Sequence, residues 1–205
     1  GEVVLEKDRQ NPIYYGWDNE FSYHKAYIND FEASKYLVSN GEFLEFVKEG
    51  GYNKPEFFSD EGKEWLDFTQ AKHPTFWIKK EGRYYLREIN RVVPLPLNYP
   101  VDVNVYEAEA FCKYLSSKLG YEVRLPSEDE YYRLYDYTNA GQKEANIGLK
   151  QFNQSPVDKY SFDEFYDVVG NVWQWSITPT YPFDDFETHP IYDDFTTPTF
   201  DDRHA

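Results

Sequence analysis

Methionine is absent from these 205 residues, and cysteine occurs once, at Cys112. A lone thiol excludes an internal disulfide and any metal site built from several thiolates. Basic residues are scarce too: 21 Lys and Arg face 37 Asp and Glu, a formal net charge of −16. Phosphate neutralisation needs a basic face, so nucleic acid and anionic membrane surfaces are poor partners. No run approaches the roughly 18 apolar residues of a membrane span. With no initiating methionine and an abrupt end over residues 195–205, the chain reads as an internal fragment. The missing leader then carries no information about compartment.

What is abundant is aromatic. Five Trp, 20 Tyr and 16 Phe make 20% of the chain. A core of rings, many with a hydrogen-bonding handle, implies a folded domain, and the length fits one. No repeat or low-complexity linker divides it.

Three helices are predicted from local signals. Ser39-Asn40 precedes an apolar face of Phe43, Leu44, Phe46 and Val47, stopped by Gly50-Gly51. Asn104 and Glu107 form a capping box ahead of a stripe of Ala108, Phe111, Cys112, Leu115 and Leu119, closed by Gly120. Ser127 and Glu130 form a second box before Tyr131-Tyr132. Short strands are predicted over residues 75–79, 84–87, 121–126 and 168–175, and residues 140–166 show no period. The pattern is α+β, rich in loops pinned by rings.

The histidines, His24, His73, His189 and His204, form no pair at metal-ligand spacing. No nucleophile elbow, phosphate loop or dinucleotide fingerprint occurs. Cys112 lies on an apolar stripe and reads as a small buried hydrophobe. The acidic pairs Asp184-Asp185, Asp193-Asp194 and Asp201-Asp202 read as solvated surface, with a structural Ca²⁺ as the sharper option. The densest chemistry runs from Tyr166 to Tyr192. Within it, Asp167-Val168-Val169-Gly170-Asn171-Val172-Trp173-Gln174-Trp175, as a strand, places Trp173 and Trp175 on one face and Gln174 on the other. Tyr181 and Tyr192, beside prolines and acids, could line a polar–aromatic pocket in which a phenol donates a proton. The residue pattern alone favours a structural tyrosine at either position.

Gly170-Asn171-Val172-Trp173-Gln174-Trp175 resembles the Gly-Asn-Val-Trp-Glu-Trp signature of the formylglycine-generating-enzyme-like superfamily. So do Pro100-Val101-Asp102-Val103-Asn104 with Tyr106-Glu107-Ala108, and Arg124-Leu125-Pro126-Ser127-Glu128. The resemblance implies a C-type-lectin-like α+β fold. Gly16-Trp17-Asp18-Asn19-Glu20, Gly50-Gly51-Tyr52 and Lys72-His73-Pro74-Thr75-Phe76-Trp77 resemble the iron-dependent sulfoxide synthases. Trp173-Gln174-Trp175 and Tyr192-Asp193-Asp194-Phe195, continuing to Asp201, resemble their ovothiol branch, the 5-histidylcysteine sulfoxide synthases.

This resemblance carries expectations. Residues 1–14 are a linker from an upstream domain, and 15–205 form the lectin-like domain, lacking the family's C-terminal closing segment. The activity joins the sulfur of cysteine to histidine using Fe(II) and O₂ in the cytoplasm. The three iron-binding histidines belong to an N-terminal helical-bundle domain of the same parent, so no iron ligand is expected here and the fragment alone is inactive. Tyr192 is the first candidate for the family's catalytic tyrosine and Tyr181 the second. Trp173, Gln174 and Phe195 are the substrate-pocket candidates. Formylglycine generators use a cysteine pair that Cys112 cannot supply. The alternatives are a non-catalytic lectin-like module binding a ligand or protein, and an ergothioneine-type synthase domain.

Overall fold

Each helix specified by a capping box begins where its cap stands. The structure, a computed structural model, describes residues 1–8, 10, 11 and 16–201. Helix α1 spans Asn40–Lys48, α2 Asp60–Thr69, α3 Val105–Leu119, α4 Glu128–Tyr137 and α5 Asp193–Thr196. At α1 the Glu42 N–H donates to Ser39 Oγ (3.2 Å) while the Ser39 N–H donates to Glu42 Oε2 (2.8 Å). The same exchange links Asn104 with Glu107 and Ser127 with Glu130. Each box satisfies two backbone donors that the first helical turn leaves orphaned.

The strands are β1 Glu2–Lys7, β2 Ser22–Tyr27, β3 Trp77–Lys80, β4 Arg83–Arg87, β5 Val92–Pro94, β6 Ser161–Phe162 and β7 Phe165–Tyr166. All pair antiparallel, in the orders β1-β2, β3-β4-β5 and β6-β7. Between β3 and β4, Glu81 and Gly82 both take positive φ (52° and 77°), the twist that a two-residue hairpin requires.

The chain divides into two compact units. One gathers residues 1–32, 126–137 and 175–205: the β1-β2 hairpin, α4 and the segment bearing α5. The other gathers residues 33–125 and 138–174, with α1, α2, α3 and the two remaining sheets. The core of the second is Phe43, Leu44, Phe46, Tyr52, Phe57, Phe58, Trp77, Leu86, Ala110, Phe111 and Tyr114. Phe46 is its hub, with ring centroids of Phe43, Tyr52, Phe57, Phe111 and Tyr114 between 5.2 and 6.2 Å away.

Three expectations are corrected. Residues 121–126 form no strand, because Ser116 Oγ accepts the Val123 N–H (2.8 Å) and donates to the Val123 carbonyl (3.1 Å). A side chain there does what a partner strand would otherwise do. Residues 168–175 form none either, since Gly170 and Asn171 sit at φ of 83° and 63°, outside any extended ladder. The buried face of α3 is Glu107, Ala110, Phe111 and Tyr114, one residue round from the predicted stripe, with Leu119 exposed. Rings and a buried hydrogen bond orient this helix more strongly than its aliphatic side chains do. Within the stretch expected to be a linker, residues 2–7 form β1, whose Val3 is buried. Positions 12–14 of that stretch, with Asp202 and His204, lie outside the described residues.

Candidate functional site

The signature stretch is a stapled loop. Asn171 holds a left-handed φ of 63°, and its amide gathers the chain around it. Its Oδ1 accepts from Ser155 N–H (2.8 Å), Ser155 Oγ (3.2 Å) and Asn146 Nδ2 (3.3 Å). Its Nδ2 donates to the Ser155 carbonyl and to Asp167 Oδ2, both at 3.0 Å. Beside it, Gly170 leaves no space for a side chain: a Cβ would lie 2.8 Å from the Asn146 carbonyl oxygen.

Asp167 is fully buried, and that burial pushes its carboxyl up to about 6 against the opposing pull of the Asn171 hydrogen bond. Gln174 donates to the carbonyls of Asp167 (3.0 Å) and Val168 (3.4 Å). Trp173 stands fully in solvent. Of the pocket candidates in this unit, one side chain thus braces the loop and the other is bare. Asn171→Ala is expected to cost about 2 kcal/mol, because five hydrogen bonds vanish and alanine resists positive φ. Urea unfolding should show a lower midpoint with an unchanged slope.

In the other unit the two tyrosines occupy different settings. Tyr181 lies beside His24 (centroids 5.8 Å apart, edge-on) and Phe183 (5.6 Å). His24 stacks on Phe183 at 5.3 Å, and its Nε2 meets Asp129 Oδ1 of α4 at 2.9 Å. Burial, then the negative charges of Glu128 and Asp129, push the Tyr181 phenol up to about 12. This makes Tyr181 a reluctant acid.

Tyr192 opens α5 and is half-buried between Trp17 (5.0 Å) and His189 (5.3 Å). Phe195 packs on the same Trp17 at 5.8 Å and remains largely exposed. The structure therefore brings together Tyr192 and Phe195, and sets Tyr181 against a histidine–carboxylate pair. Sequence reasoning missed Trp17 and Asp18 as partners of this segment. Both stood in a motif already singled out, but nothing local links them to residues 189–196.

Asp167 Oδ1 and Gln154 Oε1 are buried without a hydrogen-bond partner among the described residues. Among those same residues, no group of three or more His, Cys, Asp or Glu side chains is placed to hold a metal ion. The side chains of the described residues thus do not fit an iron centre or a carboxylate-built calcium site. Cys112 is half-buried, and burial followed by the Glu109 charge raises its thiol to about 11, too high for a nucleophile. No helix of the described residues is long and apolar enough to cross a membrane.

Comparison with known proteins agrees with this loop-rich α+β architecture. The chain is 25% identical over 217 residues to ergothioneine biosynthesis protein 1 of Schizosaccharomyces pombe, covering 99% of this chain and 24% of that protein. It is 27% identical over 202 residues to hercynine oxygenase of Mycobacterium tuberculosis, covering 89% and 45%. It is 27% identical over 199 residues to formylglycine-generating enzyme of Bos taurus, covering 78% and 51%. The chain therefore spans less than half the length of the first two relatives. The family model described as sulfatase-modifying factor enzyme 1-like domain matches residues 1–184, and the chain belongs to that family.

Proposed function

We propose that this chain is the substrate-side, lectin-like domain of an oxygen-dependent sulfoxide synthase that joins cysteine sulfur to the imidazole of histidine, as in ovothiol formation. The observation that carries the reading is the match to an ergothioneine biosynthesis protein and a hercynine oxygenase along nearly the whole chain. The ovothiol branch is favoured by Trp173-Gln174-Trp175 and by the run from Tyr192 to Asp201. Fe(II) supplies oxygen activation in this chemistry. On this reading the metal belongs to a companion helical-bundle domain of a longer protein, as the sequence resemblance implies, with the lectin-like domain over residues 15–205.

Within this chain Tyr192 is the phenol that holds or releases a proton where product is decided. It is preferred over Tyr181 on its position in the run from Tyr192 to Asp201. Its side chain sits in an aromatic setting beside the exposed Phe195, an open apolar surface suited to a small aromatic substrate.

The test is an assay of the full-length protein with Fe(II), O₂, cysteine and histidine. Histidylcysteine sulfoxide is the expected product. Tyr192→Phe is expected to move product toward cysteine sulfinate by about a hundredfold, the lower end of the scale of one proton-transfer group. Production of sulfinate alone by the wild type would refute the assignment.

A second reading, an ergothioneine-type synthase, is favoured by the relatives named ergothioneine biosynthesis protein 1 and hercynine oxygenase. Competition between histidine and its N-trimethylated form separates the two readings, the preferred acceptor giving the higher kcat/KM.

A further inference from the structure

Residues 176–192 contain no helix or strand, and α5 has only four residues. Regular structure therefore does not fix Tyr192. We propose that Asp18 is the positioning residue for Tyr192: its buried carboxylate clamps the segment on both sides of that tyrosine and sets where the phenol stands. This rests on the assignment of Tyr192 made above.

The clamp is built from three donors. Asp18 is 4% exposed. Its Oδ2 accepts the His189 N–H at 3.0 Å, and its Oδ1 accepts the Thr196 hydroxyl at 2.7 Å and the Asn19 N–H at 3.0 Å. His189 precedes Tyr192 by three residues and Thr196, itself 4% exposed, follows by four. The bracket is closed from within, because the Tyr192 N–H donates to the His189 carbonyl (2.8 Å) and the Thr196 N–H to the Tyr192 carbonyl (2.8 Å). Tyr192 is thus held at both ends of its own short arc.

The clamp is also anchored behind. The Trp17 N–H donates to Glu20 Oε1 (2.7 Å), and Glu20 Oε2 pairs with Lys7 Nζ of β1 at 2.7 Å. Trp17, next to Asp18, lays its ring on Tyr192. A continuous set of contacts therefore runs from β1 through the 17–20 turn to the phenol.

The residue type follows from the donors. All three partners donate, and a carboxylate accepts at both oxygens. Asparagine at position 18 keeps the shape but turns an NH₂ toward one of those donors. Burial alone would raise the Asp18 carboxyl, but the bonds from His189, Thr196 and Asn19 outweigh it and hold the group below the usual carboxylate range. The clamp is therefore ionised and intact at neutral pH and is lost only as pH falls through that lowered value.

The experiment uses the full-length protein with Asp18→Asn, Thr196→Val and Tyr192→Phe, each read in two ways. Hydrogen exchange of the amides of His189 and residues 191–196 should accelerate about tenfold in Asp18→Asn and less in Thr196→Val, with Tyr192→Phe unchanged. With cysteine and histidine as substrates, Asp18→Asn should shift product toward cysteine sulfinate several-fold, in the direction of Tyr192→Phe. The double variant should add almost nothing further. Thr196→Val keeps the packing volume and serves if Asp18→Asn does not fold. If exchange accelerates while product partition stays at wild type and Tyr192→Phe shifts it, Asp18 is merely structural and the inference fails. If exchange does not change, the clamp itself is wrong. If Tyr192→Phe leaves partition unchanged, the tyrosine assignment falls first and takes the positioning role with it.

Discussion

Gly51→Ala is expected to destabilise the protein by about 3 kcal/mol, at the upper end of overpacking costs. A Cβ at position 51 would lie 2.1, 2.3 and 2.4 Å from three carbons of the Phe46 ring. A surface side chain would swing away from such a clash. Phe46 has no exposed area and is ringed by five aromatic neighbours, so neither ring nor backbone has space to yield. For a chain of this length the melting temperature should fall by roughly 6–12 °C. Phe46→Ala should cost about 4 kcal/mol on its own, as large core truncations do. In the Gly51→Ala/Phe46→Ala double variant, however, the added methyl enters the cavity and its cost nearly disappears. The coupling in that cycle should approach 3 kcal/mol. Additive effects, or a Gly51→Ala protein that melts with wild type, would contradict the packing described.

Tyr52→Phe should be comparably damaging at neutral pH, through electrostatics rather than volume. The Tyr52 hydroxyl donates to Glu107, and both residues are buried in the core. Burial, chiefly, and the Glu107 charge raise the phenol, so it stays a donor throughout the accessible pH range. Burial likewise raises the Glu107 carboxyl, with Asp102 adding to it, against the downward pull of the Tyr52 bond and the Asn104 N–H.

A carboxyl raised on folding contributes stability that is present below its unfolded pKa and is lost as pH rises through the folded value. Deleting the Tyr52 hydroxyl removes one downward pull, so the folded value climbs and the loss deepens with rising pH. The expected deficit is about 3 kcal/mol near pH 8, as for a buried charge deprived of its partner, and about 1 kcal/mol less near pH 4.5. Urea midpoints across that interval provide the measurement. A deficit independent of pH would mean that Glu107 stays protonated throughout.

How much of this was legible in the sequence follows from how local each signal is. The boxes Ser39/Glu42, Asn104/Glu107 and Ser127/Glu130 are complete within four residues, and all three start helices as read. β3 and β4 were legible from their short apolar–aromatic runs. By contrast, residues 121–126 carry a strand-like alternation that Ser116 overrides from the neighbouring helix, and residues 168–175 carry one that Gly170 and Asn171 break. Helix α2 was missed because its apolar stripe is thin: Trp65 and Leu66 pack on the core while Phe68 is 90% exposed.

The candidate site shows the same limit more sharply. Gly16–Glu20 and the run after Tyr192 were each singled out by resemblance, yet nothing joined them. The bonds that do so span 171 and 178 positions along the chain. Such a pairing is created by the fold and leaves no local periodicity to read.

The staple at Asn171 has an evolutionary consequence. Asn171 and Gly170 hold the polypeptide in shape through bonds and packing internal to the loop, so the stretch that resembles the family signature reports architecture. A lineage whose enzyme had fallen silent would still keep both residues under selection for folding. On the roles proposed above, the first marks of lost catalysis would instead be written at Trp17, Asp18 and Tyr192.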